Sequence, residues 1–171
     1  MSQAHKEIII CPKCQAQGEF LIWDSINVDL NPELREAVLN ESAFLYICPE
    51  CGQRIIVPYS TLYHNMTHHF LLFFDYVKPD DYKYEPIAIP PFEGEAAKKY
   101  VYRHVTGLMQ LKEKIFILEK DLNDRAIEHL KYSLSAICRI DASTLFLSFH
   151  KQHRLNRREA QIISHEHYCK R

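Results

Sequence analysis

Two short cysteine hooks limit what this chain can become: Cys11-Pro12-Lys13-Cys14 and Cys48-Pro49-Glu50-Cys51, with 33 residues between Cys14 and Cys48. Two residues between thiols let both sulfurs point to one side of a tight turn. Pro at the second position pre-sets φ for that turn, and a Gly after the last Cys accepts a left-handed backbone. Gly52 fills that place in the second hook, whereas Gln15 stands there in the first. Two such half-sites make a tetrahedral four-thiolate site, and structural zinc takes that ligand set. With all four positions held by Cys11, Cys14, Cys48 and Cys51, no place is left for water or substrate, so the site reads as structural. Thiolates alone do not choose the metal, and a mononuclear iron centre is the alternative. A redox dithiol would need a helix start beside a hook, and no helical pattern follows either one.

The hooks interrupt strand-like sequence. Glu7–Ile10 leads into the first and Glu19–Trp23 leaves it; Phe44–Ile47 and Gln53–Val57 do the same for the second. Each hook is therefore expected at a hairpin tip. The distance between hooks exceeds the usual roughly 15–20 residues of a zinc ribbon, and an inserted helix accounts for it. Asn31 reads as its N-cap and Pro32 as its first residue, with Leu30, Leu34, Val38 and Leu39 on one face. The apolar run from His68 to Phe74 predicts a strand buried on both faces.

Half of the chain's 8 prolines, Pro79, Pro86, Pro90 and Pro91, crowd one extended stretch. Beyond it the apolar period becomes helical: Leu108, Leu111, Ile115 and Leu118, then Ile127, Leu130, Leu134 and Ile137. Asn123 reads as the N-cap between these two helices, which form a hairpin with one apolar seam. A further helical piece is expected over Glu95–His104, and a strand over Leu145–Phe149. The fold class is α+β. Residues 1–78 form a zinc-ribbon-like antiparallel domain with an inserted helix, 79–92 a Pro-rich connector, and 93–171 a helical region ending in a basic tail that is loosely ordered toward its end.

Residues 1–90 carry 6 Lys and Arg against 12 Asp and Glu, a charge of −6; residues 91–171 carry 15 against 10, a charge of +5. The hooks lie in the acidic half, which is a poor surface for phosphates. Nucleic acid, if bound, would meet Lys151, Arg154, Arg157 and Arg158 in the basic half. No signal-peptide pattern or apolar run of about 18 residues appears, so a cytoplasmic, non-membrane protein is expected, and the cysteines there stay reduced. Cys138 reads as a buried thiol and Cys169 as part of a histidine-rich tail.

Other combinations carry less chemistry. His64, His68 and His69 could set a base beside a nucleophile, and Asp24, Asp29 and Glu33 could act as acid and base. Packing, surface and capping roles explain both sets more simply. His150 and His153 fit a solvated face. The polar stretch Trp23-Asp24-Ser25-Ile26-Asn27-Val28-Asp29 reads as a turn in which Asp24, Ser25 and Asn27 satisfy backbone groups, with a ligand-facing role as the alternative. No G-x-S-x-G elbow, phosphate-binding glycine loop or H-E-x-x-H motif occurs.

The two hooks, Trp23-Asp24-Ser25-Ile26-Asn27-Val28-Asp29 with Pro32-Glu33-Leu34, and Leu62-Tyr63-His64 together resemble the bacterial CpXC family. Glu113-Lys114-Ile115 and Leu122-Asn123-Asp124 extend the likeness to about residue 131. The resemblance implies that Cys11, Cys14, Cys48 and Cys51 bind metal in a cytoplasmic protein. It implies no activity, the family's function being uncharacterised. The expectation is a non-enzymatic protein with no catalytic residues, whose structural Zn2+ supports a surface for a protein partner, with a homodimer through the helical seam as one form of it. Nucleic-acid binding through the C-terminal half, and an enzyme site near Tyr63 and His64, are the alternatives.

Overall fold

β-branched and aromatic runs broken by polar turns become six strands between Gln3 and Phe74. The computed structural model describes residues 2–76, 99–138, 145–151 and 158–164, the last two as backbone. Among these residues, nine strands and three α-helices form two compact units, Met1–Leu108 and Met109–Arg171, an α+β architecture. The Pro-rich connector expected over 79–92 lies outside the described residues.

In the first unit, β1 (Gln3–Ile10) and β2 (Gln17–Asn27) form an antiparallel hairpin with the first hook at its tip. After α1 (Glu33–Leu39) and a single 3-10 turn at Ser42–Phe44, β3 (Leu45–Ile47) and β4 (Arg54–Ile56) form a smaller hairpin around the second hook. Asn31 starts α1 through its carbonyl, which accepts the Leu34 N–H at 3.1 Å. Its side-chain amide donates to Glu33 instead of capping the helix.

Next come β5 (Thr61–Asn65), β6 (Phe70–Phe74) and β7 (Val101–Val105), and the large sheet runs β1-β2-β5-β6-β7. Two of its joins, β2 to β5 and β6 to β7, are parallel. The apolar run thus becomes β6, buried at Phe70, Leu71, Leu72 and Phe74. Strands of this kind are flanked on both sides, and β7 supplies the second neighbour. The helical piece expected over Glu95–His104 is accordingly wrong where it can be seen: Val101–Val105 is a strand, in register with Phe70–Phe74. Its Val-Tyr-Arg-His-Val composition suits a pleat better than a helix.

Aromatic rings fill the core beside the hooks. Phe20 meets the edges of Tyr46 and Tyr59, both at 6.1 Å, and Phe44 lies between Tyr59 at 4.9 Å and Phe74 at 5.8 Å. Tyr46 of β3 rests on Gly18 of β2, where an added Cβ would collide with the Tyr46 hydroxyl. Glycine is therefore required there by close approach.

In the second unit, α2 (Leu108–Leu118) and α3 (Asp124–Cys138) are separated by a turn in which Asn123 Oδ1 accepts the Arg125 and Ala126 N–H groups, the expected N-cap. Leu111, Ile115 and Leu118 of α2 are buried. The matching line on α3 is open, with Leu130 50% and Ile137 77% exposed. Charge ties the two helices together: Lys131 donates to Glu113 at 2.9 Å, and Lys114 contacts Asp124 at 3.4 Å and Glu128 at 2.7 Å. Glu113, Lys114, Asp124 and Lys131 are all buried. A backbone hairpin follows, β8 (Leu145–Lys151) with β9 (Arg158–Ser164). The expected strand is longer than Leu145–Phe149, and part of the tail is a strand too. No described helix is long and apolar enough to cross a membrane.

Removing the cation of a buried ion pair takes counter-charge from a buried carboxylate, at a cost of about 3–5 kcal/mol. Lys131→Met should therefore cost that much in urea unfolding of the second unit. Adding Glu113→Leu should recover most of the loss.

Candidate metal centre

The two hooks fold alike although their sequences differ at the critical turn position. In the first, Cys11 N–H bonds Ala16 O and Gln15 N–H bonds Cys11 O; in the second, Cys48 N–H bonds Gln53 O and Gly52 N–H bonds Cys48 O, all at 2.9 Å. Gln15 (φ 61°) and Gly52 (φ 67°) both take the left-handed conformation. Gln15 adopts it despite its Cβ, and its side-chain amide lies 3.4 Å from Pro12 O.

These turns bring four sulfurs together. Cys11 Sγ is 3.7 Å from Cys51 Sγ and Cys14 Sγ is 3.6 Å from Cys48 Sγ, so each short contact joins one hook to the other. All four Sγ atoms lie within 4.8 Å of one another. Disulfides need sulfurs about 2.05 Å apart, so these are four free thiols. Metal–sulfur bonds of about 2.3 Å in a tetrahedron give sulfur–sulfur edges of about 3.8 Å, close to the two short distances. The residues fit a metal ion.

The electrostatics point the same way. The Cys14 and Lys13 amides hold the Cys11 thiol at about 6 against its burial. At Cys14 the Ala16 amide favours the thiolate, but Cys51, burial and the other two sulfurs push it up to about 12. One thiol ionises readily and another resists, the pattern of like charges sharing one site. A bound cation removes that conflict. Cys11 and Cys48 are buried while Cys14 is exposed, so the cluster has an inner side and a solvent side.

Residues 9–131 match the family described as CpXC protein. The chain belongs to the CpXC family. The match begins just before the first hook and ends at Lys131, the ion-pair partner of Glu113. No curated protein and no solved structure matches the chain.

A second cluster of the CpXC chain gathers at the far end of β2. Asn27 is 3% exposed, and its Oδ1 accepts the N–H groups of Asp29 at 3.1 Å and Leu30 at 3.3 Å. Its amide nitrogen therefore faces His64 Nδ1, 3.4 Å away. Nδ1 must accept, which places the proton of a neutral His64 on Nε2, and Nε2 meets the Tyr100 hydroxyl at 3.1 Å. Asp29 accepts the Met66 N–H at 2.6 Å, the Thr67 N–H at 3.2 Å and the Thr67 hydroxyl. Burial works against the Asp29 carboxylate, yet those donors hold it below the usual range.

Several sequence-level candidates separate here. Asp24 meets His5 at 2.9 Å and Glu33 meets Asn31 at 3.1 Å, so Asp24, Asp29 and Glu33 serve three different places and form no acid–base set. His64 has Asn27 and the Tyr100 hydroxyl on its two ring nitrogens. Asn65 Oδ1 accepts the His68 N–H, and the His69 ring meets Tyr100 edge-on at 5.5 Å. Lys151 and Arg158 pair in the β8–β9 ladder, while Arg154, Arg157, His153 and Cys169 lie outside the described residues. Tyr100 was missed because it fell in the presumed helix; the strand-like Val101–Val105 beside it was the available signal.

Two outcomes are expected. Gln15→Gly should stabilise the metal-loaded protein by up to about 1 kcal/mol in denaturant titration, because it relieves a left-handed non-glycine residue. Gly52→Ala, with open space around the new Cβ, should lose about as much. The second concerns acid. Burial lowers the His64 pKa below its ordinary 6.5, with the Asp29 charge opposing. Its stabilising contribution is then complete above about pH 6.5 and is lost as pH falls toward and through the lower folded value. Thermal unfolding between pH 7.5 and 5 should show that decline, and His64→Gln should flatten it.

Proposed function

We propose that this CpXC chain is a non-catalytic zinc protein of a reducing, cytoplasmic compartment, in which the metal fixes a surface that another macromolecule binds. The observation that carries the reading is the closed set of four Sγ atoms within 4.8 Å, drawn from two hairpin tips. A full thiolate set offers a substrate no coordination position, so the metal acts on shape. What it shapes includes a groove of about 580 Å³ beside the knuckles, lined by Phe20, Trp23, Leu34, Leu45 and Tyr46 among others. Apolar side chains also stand exposed on the hairpins, with Ile8 60%, Ile10 56% and Ile47 53% accessible. Such exposure near a metal-fixed turn supports binding in place of chemistry.

Metal analysis of the purified protein checks the first part. One zinc per chain and no visible absorption are expected, and a red protein would replace zinc with iron. Removing the ion with a chelator should lower the unfolding temperature, since a structural metal contributes its binding free energy to folding. Cys48→Ser should reproduce the loss without chelator. Unchanged unfolding in both experiments would sink the structural role.

A further inference from the structure

The four sulfurs are not equivalent toward solvent. Cys11 and Cys48 are 0% and 1% exposed, Cys51 is half-buried and Cys14 is exposed. Each of the two short contacts joins an inner sulfur to an outer one: Cys14 Sγ meets Cys48 Sγ at 3.6 Å, and Cys51 Sγ meets Cys11 Sγ at 3.7 Å. An oxidant arriving from water therefore meets one member of each pair first, with the other directly behind it.

Oxidation-sensing thiols need this arrangement. A thiolate open to solvent is oxidised to a sulfenic acid, and a second thiol within reach converts that acid to a disulfide before oxidation goes further. Disulfide sulfurs lie about 2.05 Å apart, so each pair must close by about 1.6 Å. The pairing also crosses between the hooks. Cys14 with Cys48 and Cys11 with Cys51 join residues 34 and 40 apart in sequence, so bonds made there tie the β1–β2 hairpin to the β3–β4 hairpin. Bonds made inside each hook would leave the hairpins free of each other. The turns themselves survive either way, because Gln15 N–H to Cys11 O and Gly52 N–H to Cys48 O are backbone contacts that oxidation does not consume.

Resting on the metal reading above, we propose that the cluster is a peroxide-sensitive switch: Cys14 and Cys51 take the oxidant, Cys48 and Cys11 close the disulfides, and the chain gives up its ion with the two hairpins still tied. The oxidant is a hydroperoxide, hydrogen peroxide in its simplest form. The Cys14 thiolate attacks one peroxide oxygen, the O–O bond breaks, and the departing hydroxide takes a proton to become water. The Cys48 thiolate then attacks the Cys14 sulfur. An S–S bond forms, the S–O bond breaks, and the second hydroxide also leaves as water after taking a proton. Each pair of thiolates thus gives two electrons to one peroxide, and Cys51 with Cys11 repeats the sequence. With all four thiolates consumed, no ligand for a cation is left. The step is an oxidation of ligands that a thiol reductant reverses, and not the cycling of a dithiol catalyst. In a reducing compartment such bonds are transient, as redox-sensing disulfides are.

The zinc-loaded full-length protein is treated with hydrogen peroxide, and the released ion is followed with a chromogenic chelator against an untreated control. Disulfides are then mapped by mass spectrometry without reduction. Lys13 stands between Cys11 and Cys14, and Glu50 between Cys48 and Cys51, so combined cleavage at Lys and Glu puts each ligand on its own peptide. About two peroxides consumed per ion released are expected, with Cys14–Cys48 the first link to appear, Cys11–Cys51 the second, and zinc taken up again after reduction. The oxidised, ion-free protein should also unfold at a higher temperature than protein stripped by a chelator and kept reduced, because its cross-links constrain the unfolded chain. Links inside the hooks, or through Cys138 or Cys169, as the main products would overturn the proposal. So would an oxidised protein no more stable than the stripped one. A zinc-loaded protein that keeps its ion under peroxide overturns the switch alone, whereas a protein that takes up no metal overturns the metal reading and the switch with it.

Discussion

Four sulfur atoms within 4.8 Å are the constraint on which the N-terminal unit depends. Left as thiols, they crowd one another and cannot all ionise. With a divalent ion they become the shortest link between two parts of the chain otherwise joined through α1 and its flanking turns. The two short sulfur contacts both run from one hook to the other, so neither hook is a site by itself. A metal held there would fix the position of the β3–β4 hairpin against β2, with Tyr46 seated on Gly18 below it. Close packing at that seat is why a residue without a side chain is needed so near the first hook.

At the other end of β2 the same task is done without metal. Asn27 caps the following turn with its oxygen and reaches His64 with its nitrogen, while Asp29 caps the Met66–Thr67 turn. Parallel joins have no tight turn to set their register, and the β2–β5 join is only three pairs long. The side chains of Asn27, Asp29 and His64 supply the fixing that a hairpin turn would otherwise give.

Much of this was legible in the residues. Cysteine spacing announced the cluster because a CxxC turn is a local device whose geometry depends on few neighbours. The β6 run and the Asn123 cap were readable for similar reasons. Tertiary choices were less so. Val101–Val105 becomes a strand because β6 needs a second neighbour, and nothing nearby in sequence states that need. The α2–α3 pair was expected to share an apolar seam, yet its visible ties are the buried pairs of Glu113, Lys114, Asp124, Glu128 and Lys131. Hydrophobic spacing finds stripes and gives no notice of which charges will face each other. The Asn27–His64–Tyr100 chain was hidden for a further reason: its members are separated by 37 and 36 residues and meet only after two strand pairings.

The mixed direction of the large sheet also bears on how the chain reaches its shape. The β1–β2, β3–β4 and β5–β6 hairpins each close over short separations and can form early. The parallel joins tie Asn27 to His64 and Phe70 to Val101, and such distant contacts are slow to form because chain entropy is lost before they are made. Contact separation therefore sets an expected order, with the hairpins closing before the parallel joins. An ion taken up between those events would join the first two hairpins ahead of the sheet and shorten the search for the rest.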